Sequence, residues 1–197
     1  IPIPPPGVPT VAPKIVAAFP SNPGTFAAGG RLSPTGDLIA FQAVRSSIDV
    51  YHHIWTVGTN GSGLQDVTPA GFAGASQALG PEFSPDGRRI AFFSAAVATG
   101  SDVYLIVMDG ATHTSRRLTD VMQGGTGLVS PKWSPDGTRI VFSARPGNVG
   151  DMNLYTIRTD GTDMRQLTTA AGDDIWPEYS PDGATIAFVS ERDGQRE

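Results

Sequence analysis

Short apolar runs separated by glycine-rich turns recur along this chain. Four of the runs are alike in composition, and each ends in phenylalanine: residues 38–41, 90–92, 140–142 and 186–188. Runs of three or four residues rich in isoleucine and phenylalanine are typical of β-strands. Nowhere does the i, i+3, i+4, i+7 spacing of an amphipathic helix persist for the ~10 residues that a helix needs. The pattern therefore predicts an all-β protein.

A four-residue turn stands just before each run and gives the chain an internal repeat. It reads Ser-Pro-Thr-Gly from Ser33 and Ser-Pro-Asp-Gly from Ser84, Ser134 and Ser180, so the spacings are 51, 50 and 46 residues. Proline presets φ, aspartate caps the turn and glycine supplies the left-handed conformation. Each repeat therefore begins with a hairpin, strand A to strand B. We expect burial between repeats for the aromatic residues just before three of the turns: Phe83, Trp133 and Tyr179.

Two further strand-like segments follow in each of the first three repeats. The third segment leads into Asn-Gly or Asp-Gly, the strongest short hairpin signal. It covers residues 54–57, 103–107 and 154–157. The fourth segment ends in Val-Thr or Leu-Thr. These segments are strands C and D, and four antiparallel strands in a repeat of about 50 residues are typical of one blade of a β-propeller.

The third repeat carries the residues that resemble a known family. It reads Trp133-Ser-Pro-Asp-Gly-Thr-Arg-Ile-Val-Phe-Ser, then Asn153-Leu-Tyr, then Asp160-Gly-Thr-Asp-Met-Arg-Gln-Leu-Thr168. This closely resembles the WD-repeat-like β-propeller repeat of the TolB type, over about residues 31–197. The resemblance implies a propeller fold and an exported protein, periplasmic or extracellular. It does not imply one function, because prolyl-oligopeptidase-like enzymes and some pectate-fragment lyases share the repeat.

The repeats divide the chain into a proline-rich arm, residues 1–13, and propeller repeats over residues 14–197. Blades are expected at about residues 25–68, 77–119, 127–168 and 175–197, the last without strands C and D. About three and a half blades leave an open edge, which soluble proteins cover. We therefore expect a larger propeller, or completion by a partner chain. Self-association through the open edge or the arm is a further expectation, with residues 14–19 as a candidate closing strand.

Composition and charge exclude several classes of function. A net charge of −5 without a basic run lacks the footprint of a nucleic-acid binder. No apolar stretch approaches the ~18 residues of a membrane span. Zero cysteines exclude disulfides and thiol nucleophiles, and no Gly-x-Ser-x-Gly elbow occurs. No catalytic residue, cofactor or metal site is therefore assigned, although acidic loops leave a divalent cation such as calcium as an alternative.

Up-and-down topology places the A–B and C–D turns at one end of the blades and the B–C and D–A loops at the other. We call these ends the turn face and the loop face. The loop face is irregular, and binding groups concentrate on such loops. Its candidate partner-binding residues are Asp49, Asp102, Asp120, Asp151, Asp173, Asp174 and Trp176. They indicate an acidic surface for a protein or peptide; the alternative is that the aspartates cap turns.

Charge alternates at the position two residues before each A–B turn. The four residues are Arg31, Glu82, Lys132 and Glu178. Strand A is the innermost strand of a propeller blade, so these positions lie side by side around the central channel. The alternation predicts a structural ring of ion pairs from blade to blade, each worth ~0.2–1 kcal/mol where exposed. Contact with a ligand or ion in the channel is the alternative.

Three functions stay open on these residues. The leading one is a non-enzymatic interaction propeller that binds a protein or peptide through the acidic loop face. The second is the propeller portion of a prolyl-oligopeptidase-like hydrolase or a lyase, whose catalytic part is not in this chain. The third is a repeat unit of an extracellular or surface assembly. A Gly-x-Ser-x-Gly segment elsewhere in the gene would favour the second.

Overall fold

Fourteen β-strands lie in the residues that the computed structural model describes, which are 27–44, 51–69, 76–96, 100–109, 112–119, 129–145, 147 and 149–192. The proline-rich arm and the candidate closing strand at residues 14–19 lie outside them. The strands are β1 Ala27–Leu32, β2 Leu38–Val44, β3 His52–Gly58, β4 Gln65–Asp66, β5 Ser76–Phe83, β6 Arg89–Ala96, β7 Gly100–Asp109, β8 Thr112–Arg117, β9 Val129–Trp133, β10 Arg139–Ala144, β11 Asn153–Arg158, β12 Arg165–Gln166, β13 Asp174–Tyr179 and β14 Ile186–Ser190.

The strands form four antiparallel sheets that follow chain order. Blade 1 is β1-β2-β3-β4, blade 2 is β5-β6-β7-β8 and blade 3 is β9-β10-β11-β12, while blade 4 has β13 paired with β14. The first strands of successive blades contact one another, β1 with β5, β5 with β9, and β9 with β13. This arrangement confirms the predicted all-β fold of four-stranded propeller blades. No helix among the described residues is long and apolar enough to cross a membrane.

The A–B turn has one hydrogen-bonding scheme wherever Ser-Pro-Asp-Gly occurs. In blade 2 the Ser84 hydroxyl donates to Asp86 Oδ1 at 2.5 Å and accepts from the Arg89 main-chain N–H at 2.9 Å. Gly87 has a φ of 70° and donates its N–H to the Ser84 carbonyl oxygen at 2.8 Å. The turns at Ser134 and Ser180 repeat these bonds. The serine hydroxyl therefore forms hydrogen bonds with both the turn carboxylate and a main-chain N–H group, and so fixes the conformation of the turn.

Blade 1 replaces the turn aspartate with threonine and recovers the same scheme from another position. The Ser33 hydroxyl donates to Asp37 Oδ1 at 2.7 Å, and the Thr35 hydroxyl donates to the same oxygen. These two hydroxyls, Thr35 first, hold the pKa of Asp37 below its ordinary value. The carboxylate thus enters the turn two residues later, and the departure from the repeat keeps its hydrogen bonds.

The hydrophobic core lies between blades. One cluster joins Ala40, Ile54 and Val67 of blade 1 to Phe83, Ile90 and other residues of blade 2. A second cluster joins Ala91 and Leu118 of blade 2 to Trp133, Phe142 and other residues of blade 3. The expected burial is confirmed for Phe83 and for Trp133, which are each 7% exposed, whereas Tyr179 of blade 4 is half-buried. Burial at this position depends on the neighbouring blade.

Trp133 also makes polar contacts across the interface between blades 2 and 3. Its Nε1–H donates to the Glu82 carbonyl oxygen at 3.0 Å. The Arg89 guanidinium lies over its ring, 4.7 Å from the centroid, at cation–π distance. Both partners belong to blade 2. The tryptophan therefore fixes the two blades in one register as well as filling the space between them.

Strand D is shorter than the sequence predicts in blades 1 and 3, where β4 and β12 have two residues each. A threonine hydroxyl continues the ladder where the strand ends. Thr68 Oγ1 accepts from the Ile54 N–H at 2.8 Å, and Thr168 Oγ1 accepts from the Leu154 N–H at 3.0 Å. The repeated Val-Thr and Leu-Thr endings therefore supply a side-chain acceptor in place of a main-chain carbonyl.

One carboxylate, Asp163, holds strands B, C and D of blade 3 at the turn face. It accepts from Arg139 Nη1 at 2.8 Å and Arg165 Nε at 2.7 Å, and Arg158 Nε lies at 3.4 Å. Asp163 has a left-handed φ of 52°. The bonds from Arg139 and Arg165 lower the pKa of its carboxyl to about 2.

We expect Trp133→Ala to lower the free energy of unfolding by about 3–5 kcal/mol, because it removes a large buried side chain and leaves a cavity. Urea denaturation measures this loss. Leu32→Ala is the matched control, since Leu32 has the same register position but is 59% exposed. Its loss should stay within about 0.5 kcal/mol. Equal losses for the two variants would contradict the interblade core.

Acid should weaken the protein through its turn carboxylates. Serine hydroxyls are the chief cause of the lowered pKa values of Asp86, Asp136 and Asp182. The pKa of Asp163 is lowered by its bonds from Arg139 and Arg165. A pKa that is lower in the folded state gives stability above the ordinary value of 3.8, and this stability is lost as pH falls toward 2. Urea midpoints between about pH 5 and about pH 2 should fall less steeply in Asp163→Asn. Parallel curves for variant and wild type would contradict the assignment.

Candidate partner-binding face

The loop face of blades 3 and 4 is built from two connections. The B–C connection, residues 145–152, joins β10 to β11, and the D–A connection, residues 167–173, joins β12 to β13. Both connections lie at the same end of the blades because the strands run up and down in sequence order. Three of the predicted aspartates and Trp176 fall in or next to them.

Asp173 ties the two connections together. Its Oδ1 accepts from the Met152 main-chain N–H at 2.8 Å and from Arg145 Nη2 at 3.1 Å. Its own carbonyl oxygen accepts from the Glu191 N–H at 2.9 Å. The carboxylate is half-buried and its charge is balanced by Arg145. Asp173 therefore holds the loops of two blades in a fixed relation.

Asp174 is buried, which removes it from the acidic surface that the sequence predicts. Its side chain is 0% exposed and accepts from the Ser190 hydroxyl at 2.6 Å and from Arg192 Nη2 at 3.2 Å. Burial acts to raise the pKa of its carboxyl, but the bonds from Ser190, Thr168 and Arg192 outweigh burial and lower it. Asp174 therefore joins β13 to β14 and offers no free carboxylate to a partner.

The remaining predicted aspartates fall in three different settings. Asp151 is exposed, and its Oδ2 accepts from the Gly172 N–H at 2.9 Å. Asp102 lies inside β7, where it pairs with Ser94 of β6, and not in the loop that the sequence predicts. Asp49 and Asp120 lie outside the described residues. Of the six aspartates, Asp151 is the exposed one within the described loops.

Among the described residues of this face, Trp176 is the exposed aromatic side chain. It is 52% exposed and has a left-handed φ of 54°. It lies in a bulge of β13, where the register shifts between Ile175 and Glu178. The equivalent bulges of blades 1 and 2 contain Gly29 and Gly80, with φ of 69° and 60°. A tryptophan therefore occupies a backbone position that suits glycine, at a strain of order 1–3 kcal/mol.

The alternating charges of the inner strands contact one another in the predicted order. Arg31 Nε lies 2.8 Å from Glu82 Oε2, Lys132 Nζ lies 3.5 Å from the same oxygen, and Lys132 Nζ lies 3.1 Å from Glu178 Oε2. Lys132 and Glu82 are the more buried members, and Arg31 and Glu178 are the exposed ends. The contacts form a continuous chain of ion pairs across β1, β5, β9 and β13.

Two supporting residues of the loop face, Arg192 and Ser190, are not among the sequence candidates. An arginine does recur three or four residues after the strand B phenylalanine, at Arg45, Arg145 and Arg192. That recurrence is the sequence signal for Arg192. Within the described part of the chain, no three His, Asp or Glu side chains come together in a group that could hold a metal ion.

Blades with these turns, interblade cores and inner-strand charges define a β-propeller whose irregular loops are held by aspartate–arginine pairs. The chain belongs to the TolB β-propeller family, because a family model described as the TolB beta propeller domain matches residues 71–197.

Two curated relatives carry the name Protein TolB homolog. The protein of Chlorobium luteolum is 38% identical over 165 residues, which cover 84% of this chain and 34% of that protein. The protein of Chlorobium chlorochromatii is 40% identical over 167 residues, which cover 80% of this chain and 35% of that protein. The chain thus spans about a third of the length of these relatives.

Solved structures share the fold. TolB from Acinetobacter baumannii superposes with a TM-score of 0.66 at 20% identity and covers 86% of this chain and 39% of its own. A puromycin-hydrolyzing peptidase of Mycobacterium tuberculosis superposes with a TM-score of 0.68 at 17% identity, over 89% of this chain and 30% of the peptidase chain. An oligogalacturonate lyase in complex with manganese superposes with a TM-score of 0.64 at 16% identity, over 87% of this chain and 46% of the lyase chain. At these identities the likeness shows the fold alone, which serves enzymes and other proteins alike.

We expect Asp174→Asn to lower the free energy of unfolding by about 1–3 kcal/mol, because it weakens the charge-assisted hydrogen bonds that this buried carboxylate accepts from Ser190 and Arg192. Asp151→Asn removes the same charge from an exposed side chain and should change stability by less than about 0.5 kcal/mol. Chemical denaturation compares the two variants. An Asp174→Asn protein as stable as the Asp151→Asn protein would show that Asp174 is not a structural residue.

Proposed function

We propose that this chain is the propeller of a non-enzymatic, TolB-like protein that binds a protein or peptide partner at the loop face of blades 3 and 4. The observation that carries the proposal is Trp176, a half-exposed tryptophan in a strained backbone conformation. Strained residues persist where the surrounding structure enforces them, and they cluster at functional sites. Tryptophan is also enriched among the few residues that dominate binding energy at protein interfaces.

The surroundings of Trp176 support a binding role. Its neighbours Ile175 and Pro177 are buried, so the backbone on both sides of the indole is fixed. The Asp173–Arg145 and Asp174–Arg192 pairs hold the adjacent loops. A rigid aromatic loses little conformational entropy on binding, which favours affinity. Two of the predicted aspartates thus hold the loops around Trp176, while Asp151 gives the face an exposed negative charge.

These features define the chemistry of the partner. An exposed indole on a face that also carries the exposed Asp151 carboxylate suits a segment that presents an apolar or aromatic side chain next to lysine or arginine. Attraction between the Asp151 carboxylate and such a segment would speed association and would weaken with salt. We further propose that the protein is exported to the periplasm, on the basis of its membership of the TolB family.

The enzyme alternative rests on fold neighbours. The peptidase and lyase propellers are 17% and 16% identical to this chain, whereas the two TolB homologs are 38% and 40% identical. This difference favours the TolB-like function. Self-association and a role in a surface assembly stay predictions. In the described residues β14 pairs with β13 and has no second strand beside it, so this edge is the place to look for either.

We expect Trp176→Gly to abolish most partner binding and to leave the fold intact. Glycine suits the φ of this position, so the free energy of unfolding should stay within about 1 kcal/mol of the wild type. Loss of an interface tryptophan weakens binding by about 2 kcal/mol, or about thirtyfold in Kd. The matched control is Leu64→Ala, which removes an exposed apolar side chain outside the loop face.

The experiment has two steps. Immobilised wild-type, Trp176→Gly and Leu64→Ala proteins are incubated with periplasmic extract of the organism that encodes them, and captured proteins are quantified by mass spectrometry. A partner held by the wild type and by Leu64→Ala is then purified and its Kd for all three is measured by calorimetry. A Kd that Trp176→Gly leaves unchanged would overturn the proposal, as would capture of nothing that depends on Trp176.

A further inference from the structure

The D–A connection of blade 3 lies directly on the main chain of blade 4 at Gly172. A Cβ atom at this position would meet three main-chain atoms of the segment after β14: the Glu191 carbonyl oxygen at 2.6 Å, the Glu191 carbonyl carbon at 2.7 Å and Arg192 Cα at 2.8 Å. Any side chain here would therefore push two stretches of main chain apart. The φ of Gly172 is 94°, which also suits glycine.

We propose that Gly172 is a positioning residue of the loop face, which fixes Trp176 by allowing this close approach of blades 3 and 4. Gly172 has no side chain to offer a partner, so it acts through Trp176. What Gly172 adds to partner binding rests on the function proposed above, whereas its control of the position of Trp176 does not.

Hydrogen bonds on both sides hold the connection in this position. On one side, the Gly172 N–H donates to Asp151 Oδ2 at 2.9 Å, and Asp173 Oδ1 accepts from the Met152 N–H at 2.8 Å. On the other side, the Asp173 carbonyl oxygen accepts from the Glu191 N–H at 2.9 Å. All three bonds involve Gly172 or the residue next to it. A displacement of Gly172 would therefore weaken all three, because hydrogen bonds weaken as their distance and angle depart from the optimum.

The bulge that carries Trp176 is sensitive to this contact because its ladder is short on the loop-face side. There β13 pairs with β14 through two residue pairs before the register shifts at Trp176. The bond between Asp173 and Glu191 is the next link beyond these two pairs. Separation of Gly172 from Glu191 would open the ladder at this end. The left-handed main chain of Trp176 would then lose part of the surrounding structure that enforces it.

Gly63 offers a matched comparison, because it has a similar main-chain conformation without the close approach. It lies in the C–D turn of blade 1 with a φ of 67°, and a Cβ atom there would meet nothing within 4 Å. Alanine at this position carries the cost of a left-handed φ and displaces no neighbour. A difference between Gly172→Ala and Gly63→Ala therefore reports the contact with blade 4.

Fluorine NMR of protein labelled with fluorotryptophan tests the control of Trp176. The chain contains three tryptophans, so Trp176→Gly identifies the Trp176 signal by its loss. Gly172→Ala should shift or broaden that signal by more than one line width and leave the other two in place. Gly63→Ala should leave all three in place. A Trp176 signal that is unmoved in Gly172→Ala, or that moves equally in Gly63→Ala, would overturn the proposal.

Hydrogen exchange tests the same contact in the wild type, without any substitution. The amides of Met152, Gly172 and Glu191 should be protected to a similar degree, since their bonds open together as one local unit. In Gly172→Ala the Met152 and Glu191 amides should exchange at least tenfold faster, whereas Gly63→Ala should leave them unchanged. A wild-type Glu191 amide that exchanges as fast as in an unstructured peptide would contradict the contact, even if Gly172→Ala fails to fold.

Capture from periplasmic extract tests the contribution to binding. Gly172→Ala should retain at least fivefold less of the protein whose capture depends on Trp176, and Gly63→Ala should retain the wild-type amount. If Trp176→Gly loses no captured protein, the proposed function fails, and the fluorine signals still decide whether Gly172 positions Trp176. If the Trp176 signal moves but capture by Gly172→Ala equals that of the wild type, Gly172 has no positioning role in binding.

Discussion

The packing of each inner-strand aromatic residue against the preceding blade is the constraint on which this structure depends. A four-stranded sheet exposes two apolar faces and cannot bury both alone, so stability requires a neighbour on each side. Trp133 shows how the contact is fixed, because it fills the space between blades 2 and 3 and also donates to the Glu82 carbonyl oxygen. That register places Glu82 beside Lys132 and brings the Arg89 guanidinium of blade 2 to the Gly137 carbonyl oxygen of blade 3.

Most of the fold could be predicted from the sequence because its signals are local and repeated. Ser-Pro-Asp-Gly fixes a hairpin through contacts within six residues, and four copies establish the blade period. Burial that depends on a distant segment could not be predicted in this way. Asp174 reads as a loop-face aspartate until Ser190 and Arg192 enclose it. The left-handed φ of Trp176 was equally hidden, although alignment with Gly29 and Gly80 in the repeats provides a signal for it.

The two ends of the blades use charge in different ways. At the loop face, Asp173 and Asp174 each pair with an arginine, and the pairs brace the loops. At the turn face, three arginines share Asp163, while Asp136 and Asp160 accept hydrogen bonds within their own turns. Net charge alone hides this division, because the value of −5 is a sum over both ends of the blades. The repeat makes the division possible, since every turn falls at one end and every irregular loop at the other.

The chain of ion pairs on the inner strands limits how a complete ring of blades can close. Its members are Arg31, Glu82, Lys132 and Glu178. Its two exposed ends have opposite signs, so a further blade placed after Glu178 is favoured if it presents a cation, and one placed before Arg31 if it presents an anion. A circle of alternating signs has no like-charged neighbours only when its members are even in number. A propeller that continues these ion pairs all the way around its axis therefore avoids like-charged neighbours if its number of blades is even. One additional blade would place two like charges side by side. Parity thus links one side chain per blade to the symmetry of the whole assembly.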